Sequence, residues 1–131
     1  MRRALPLALA LLAGCSPWTE ADPPPADFDE YAARRAALVA ELDRLIGDAE
    51  AESASACRVV LFGDKPCGGH RDARVYSASS ANPVAVGALA DRITALDRDA
   101  NERFGLGSDC AVAPEPRAVF EGNRCVPRYG G

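Results

Sequence analysis

Apolar residues are distributed along this chain in three ways. From Ala4 to Leu12 they form one short run of nine residues. Between Phe28 and Ala49, and again between Val86 and Phe104, they recur at steps of three and four. From Cys57 onward, outside the second of those stripes, they gather into short blocks separated by glycine and proline. Stepped stripes are the pattern of helices that bury one face, and short β-prone blocks between turn residues are the pattern of strands.

The first stripe (Phe28, Tyr31, Leu38, Leu42, Leu45, Ala49) is preceded by Asp27, with Glu30 three residues on. This spacing predicts a helix capped by Asp27, with Glu30 at the capping-box position, ending near Ser53. Acids in its first turn suit the helix dipole. Cys57-Arg58-Val59-Val60-Leu61-Phe62 reads as a strand closed by Gly63-Asp64, Lys65 to His70 as a loop, and Arg74 to Ser77 as a returning strand. Asn82-Pro83 opens a second helix, with proline at its first position. Its stripe is Val86, Leu89, Ile93, Leu96, Ala100 and Phe104, and Gly105 is its left-handed stop. Three strands are expected after it: Cys110–Ala113, Ala118–Phe120 and Arg124–Val126, with Gly122-Asn123 turning between the last two. The order is α-β-β-α-β-β, an α+β domain of two helices packed on a small antiparallel sheet.

The run from Ala4 to Leu12 follows Arg2 and Arg3 and is too short to span a membrane, which takes roughly 20 apolar residues. It fits the apolar core of a secretory signal peptide. The run ends in Leu12-Ala13-Gly14-Cys15, which resembles the lipobox of bacterial lipoproteins. That resemblance implies cleavage after Gly14, a diacylglycerol on the Cys15 thiol, and acylation (palmitate or a similar chain) of the new amine. Residues 1–14 are then a signal peptide, 15–26 an acidic proline-rich tether, and 27–131 the folded domain. Two or more acyl chains suffice for stable anchoring. The tether holds Pro17, Pro23, Pro24 and Pro25; its extended length is roughly 30 Å at about 3.1 Å per residue. Ser16, rather than aspartate, follows Cys15; in enterobacterial lipoproteins this favours the outer membrane, facing the periplasm.

Charge adds one exclusion. The chain is at −4, and residues 15–52 hold ten acids against three bases, while residues 53–131 hold nine against ten. No strongly basic face for nucleic acid is expected. The acidic surface of the first helix reads as a solvated face.

Beyond Cys15 stand Cys57, Cys67, Cys110 and Cys125, an even number in a short exported chain, which reads as a disulfide framework. Three pairings are open. Cys57–Cys67 with Cys110–Cys125 is favoured, because each pair brackets a segment able to fold back on itself; the crossed pairings would tie the two halves together. A zinc site at Cys67-Gly68-Gly69-His70 is disfavoured, since close cysteine pairs are lacking. His70 is the single histidine, and Ser77, Ser79 and Ser80 lie in no nucleophile elbow. Gly68-Gly69 lacks the Gly-Lys-Ser/Thr of a phosphate loop. No cofactor motif and no enzyme chemistry are expected.

The string Gly63-Asp64-Lys65-Pro66-Cys67-Gly68-Gly69, then Tyr76-Ser77, Ser108-Asp109-Cys110 and Gly122-Asn123-Arg124-Cys125, resembles a family of small exported bacterial four-cysteine domains with no assigned activity. The likeness covers residues 54–127 and implies two disulfides and one compact domain. Two functions are carried forward. One is a lipid-anchored envelope lipoprotein whose domain binds an envelope protein or serves structurally. The other is a protease inhibitor that presents the 63–70 loop, with Lys65 and His70 as its candidate binding residues.

Overall fold

The computed structural model describes residues 22–130, so the expected signal peptide (residues 1–14) and the expected lipidation site Cys15 lie outside the described residues. Two helices and four strands follow in the expected order: α1 (Phe28–Ile46), β1 (Cys57–Phe62), β2 (Asp72–Ser77), α2 (Pro83–Phe104), β3 (Arg117–Glu121) and β4 (Arg124–Arg128). The strands form two antiparallel hairpins rather than one sheet. In the first, Cys57 lies opposite Ser77 and Phe62 opposite Asp72; in the second, Arg117 lies opposite Arg128. The helices pack against each other, and the core lies between them and the hairpins, with Leu42, Phe62, Val86 and Ile93 at most 1 % exposed.

Helix α1 starts as its sequence dictates. The Asp27 carboxylate accepts the Glu30 amide at 2.8 Å, and Glu30 reaches back to the amide of Ala26 at 2.7 Å, one residue beyond the usual box. That amide and the Arg34 guanidinium hold the Glu30 carboxyl below the usual carboxylate range. The helix stops at Ile46, well before Ser53. Gly47 takes φ 59° and ψ −143°, a region open almost only to glycine, and its amide closes on the Asp43 carbonyl. Ala49 is buried, but through the second hairpin rather than through a helix face. Its carbonyl accepts the Cys125 amide at 2.9 Å, and the Ala51 amide donates to Asn123 at 2.9 Å. Ile46, absent from the expected stripe, is buried instead.

Helix α2 follows expectation at both ends. Asn82 caps the Val84 amide at 2.9 Å, Pro83 sits in the first turn, and Gly105 is left-handed. Gly122 (φ 56°) and Asn123 (φ 60°) make the positive-φ turn whose twist suits a two-residue hairpin. The expected strand at Cys110–Ala113 does not form. That segment is irregular, Cys110 has φ 55°, and the Ala111 carbonyl is taken by the Lys65 ammonium.

The disulfide pairing is the crossed one, Cys57–Cys125 and Cys67–Cys110, with Cα separations of 5.4 and 5.3 Å. The favoured pairing Cys57–Cys67 and Cys110–Cys125 is thereby corrected. Cys57 opens β1 and Cys67 lies past its far end; a six-residue strand rises about 17 Å, well beyond disulfide reach.

Part of the proline-rich stretch belongs to the domain. Pro25 is buried, Arg34 donates to the Pro23 carbonyl, and Arg92 pairs with Asp22 at 3.0 Å. Residues 22–26 thus lie as a strap along the helix pair.

Candidate functional site: a clamped loop over a buried carboxylate

The loop from Gly63 to Arg71 joins β1 to β2 and carries Lys65, Cys67 and His70. Both helices supply its foundation. On α1, Tyr31 and Arg35 are four residues apart and share a face; on α2, Thr94, Asp97 and Asn101 share one at steps of three and four. Asp97 is wholly buried and accepts the Tyr31 hydroxyl at 2.9 Å and Arg35 Nε at 2.8 Å on Oδ1. Its Oδ2 accepts the Asp64 amide at 3.2 Å and lies 3.5 Å from Arg71 Nη1. Arg71 also donates to the Tyr31 oxygen at 2.7 Å, and Arg35 Nη2 reaches Asp72 at 2.7 Å.

Burial followed by the hydrogen bond to Asp97 raises the Tyr31 phenol above its ordinary value. Burial opposes the charge on Arg35, but its bonds to Asp97 and Asp72 outweigh that and push its guanidinium up. Burying a carboxylate is costly, and these donors offset that cost.

The same carboxylate explains Gly63. Its amide donates to Thr94 Oγ1 at 2.9 Å, its φ is 81°, and a Cβ there would stand 2.7 Å from Asp97 Oδ2. Only glycine lets the backbone come this close. Asn101 then ties down the next residue, donating to the Asp64 carbonyl at 2.9 Å and its carboxylate at 3.0 Å.

Above this base the loop closes on itself, with the Lys65 amide on the Gly69 carbonyl at 3.0 Å and the Gly68 amide on the Lys65 carbonyl at 2.7 Å. The segment after α2 clamps it from the side. Cys67 is bonded to Cys110, and the Lys65 ammonium, rather than projecting into solvent, sits on Asp109 Oδ1 at 2.9 Å and on the Ala111 carbonyl. The Lys65 hydrogen bond, with the Ala111 amide, lowers the Asp109 carboxyl from its ordinary value. His70 is half-buried, and its Nε2 has no hydrogen-bond partner among the described residues. Lys65 and His70 therefore share one loop, yet Lys65 is held by the neighbouring segment. Cys67, weighed above as a zinc ligand, is in a disulfide. Among the described residues no three histidine, cysteine, aspartate or glutamate side chains gather as a metal group.

Away from this loop a groove of about 820 Å³ runs beside the strap past Leu38, Ala95 and Leu96. The arginines on its wall are engaged: Arg34 with Glu30 and Pro23, Arg92 with Asp22.

The sequence reading missed the group around Asp97. A signal for it was present, since Asp97 falls between Ile93 and Ala100 at helical spacing, an acid on an apolar stripe. Its partners Tyr31, Arg35 and Arg71 are distant in sequence and carry no such mark.

The molecule is a small α+β domain braced by two disulfides. No family model, curated protein or solved structure matches the chain.

Proposed function

We propose that the chain is a lipid-anchored bacterial envelope lipoprotein whose braced domain acts as a binding or structural module for an envelope protein. The observation that carries this reading is the N-terminal series: Arg2-Arg3, the nine-residue apolar run, and Leu12-Ala13-Gly14-Cys15 at its end. Pairing of the other four cysteines supports it, because stable disulfides belong to oxidising compartments. It also leaves Cys15 outside the framework, as a lipid attachment site requires. A non-enzymatic role is supported by the charged groups beneath the loop, where Arg35 and Arg71 neutralise the buried Asp97. The outer membrane is the favoured address, on Ser16.

On this reading the anchor is short. Seven residues, 15–21, run from the lipid to the strap, and a chain of that length reaches at most about 25 Å. The domain then stands near the bilayer, where anchoring concentrates a weak binder at one surface.

The test is the intact mass of the protein purified from membranes without reductant. A mass that starts at Cys15, carries acyl chains and lacks four hydrogens is expected. An unlipidated chain recovered in the soluble fraction overturns the reading. Crosslinking in intact cells should then capture a specific envelope partner. Sub-micromolar inhibition of a protease by the domain would instead favour the inhibitor reading of the 63–70 loop.

A further inference from the structure

The two disulfides differ far more in exposure than in loop length. Cys125 is 5 % exposed and Cys57 half-buried, at the seam between the hairpins. Cys67 and Cys110 are both exposed, each in irregular chain. Loop closure depends on the logarithm of the separation, 68 residues against 43, so it distinguishes the bonds little. Access for an attacking thiolate distinguishes them strongly. Two further features mark the exposed bond. Cys110 stands at φ 55°, a left-handed backbone uncommon for a residue other than glycine. The Lys65 ammonium is bonded to Asp109 and to the Ala111 carbonyl, on either side of Cys110, so the bond sits where the loop and the segment after α2 are pinned together.

We infer that Cys67–Cys110 is a thiol–disulfide exchange site for an external dithiol, while Cys57–Cys125 is a permanent brace. The inference does not depend on lipid anchoring. One thiolate of the dithiol attacks Cys67 Sγ; a new S–S bond forms there and the Cys67–Cys110 bond breaks. The electron pair leaves on Cys110 Sγ, which takes up a proton. The second thiolate of the dithiol then attacks its own sulfur in the mixed disulfide, and Cys67 leaves as a thiolate and is protonated. Two electrons and two protons pass in all: the dithiol becomes a disulfide, and Cys67 and Cys110 become thiols. Opening releases the 105–116 segment from the loop. The Lys65 ammonium, on the Ala111 carbonyl and on Asp109, whose side chain is 75 % exposed, is a polar contact that then still joins loop and segment.

The experiment is timed reduction of the intact oxidised chain with dithiothreitol, quenched by acid, alkylated and mapped by peptide mass. Alkyl groups should appear on Cys67 and Cys110 at least about tenfold faster than on Cys57 and Cys125. Simultaneous opening of both bonds, or first labelling at Cys57 and Cys125, overturns the assignment. With glutathione as a monothiol probe, the trapped adduct should sit on Cys67 with Cys110 alkylated. An adduct on Cys110 overturns the direction of attack.

Discussion

Asp97 gathers four donors from two parts of the chain, α1 and the loop, and each answers a demand made by its burial. A carboxylate removed from water needs its lone pairs met, and Tyr31, Arg35, Arg71 and the Asp64 amide meet them. Tyr31 is the member whose removal is cleanest. Tyr31→Phe keeps the ring and deletes one donor to Asp97 and one acceptor for Arg71, so a loss of about 1–3 kcal/mol is expected in urea unfolding near neutral pH. The same variant reports on alkaline stability. The folded protein holds the phenol neutral above its ordinary value of 10.0, because burial and the bond to Asp97 disfavour the phenolate. This contribution is complete below the unfolded value and is lost as pH rises through the raised folded one. Wild type should lose more stability than Tyr31→Phe between about pH 8 and about pH 11.

Elements here begin and end on single residues. The Asp27 carboxylate meets an amide that α1 cannot satisfy internally, and Asn82 does the same for α2. Asp27→Ala should cost about 1 kcal/mol, measured as a lowered thermal midpoint. That cost should fall on α1 alone, leaving the Cys67–Cys110 clamp intact. At the other end of α1, Gly47 overrules the apolar stripe. The stripe's last member, Ala49, is buried by hydrogen bonding beside β4, so its apolar character was real and its helical phase a coincidence.

For the whole molecule the decisive links are the crossed disulfides. Cys57–Cys125 joins the two hairpins and Cys67–Cys110 joins the loop to the segment after α2. Closing a 68-residue loop removes about 4 kcal/mol of unfolded-state entropy at room temperature. Replacing Cys57 and Cys125 together by alanine should therefore lower the unfolding free energy by about that much, with added loss from the buried seam. Denaturant titration of the oxidised double variant measures it. The strap of residues 22–26 belongs to this scale too, since Arg34 and Arg92 bind it from different helices.

Much of the fold was legible in the sequence because its signals are local. Caps, turn glycines and helical spacing act over a few residues, so both helix starts, the first hairpin and the Gly122-Asn123 turn could be read directly. The α+β class followed from their order. The cysteine pairing was not legible, because it depends on how far β1 extends and where β4 returns. The Asp97 group was hidden for a related reason: one member was visible as an acid on an apolar stripe, but its partners come from α1, the loop and the start of β2. The local reading left Lys65 as an exposed loop lysine, and only the neighbouring segment, folded against it, holds its ammonium. Short-range sterics and hydrogen bonding fixed the elements; long-range packing alone decided which charges and which sulfurs meet.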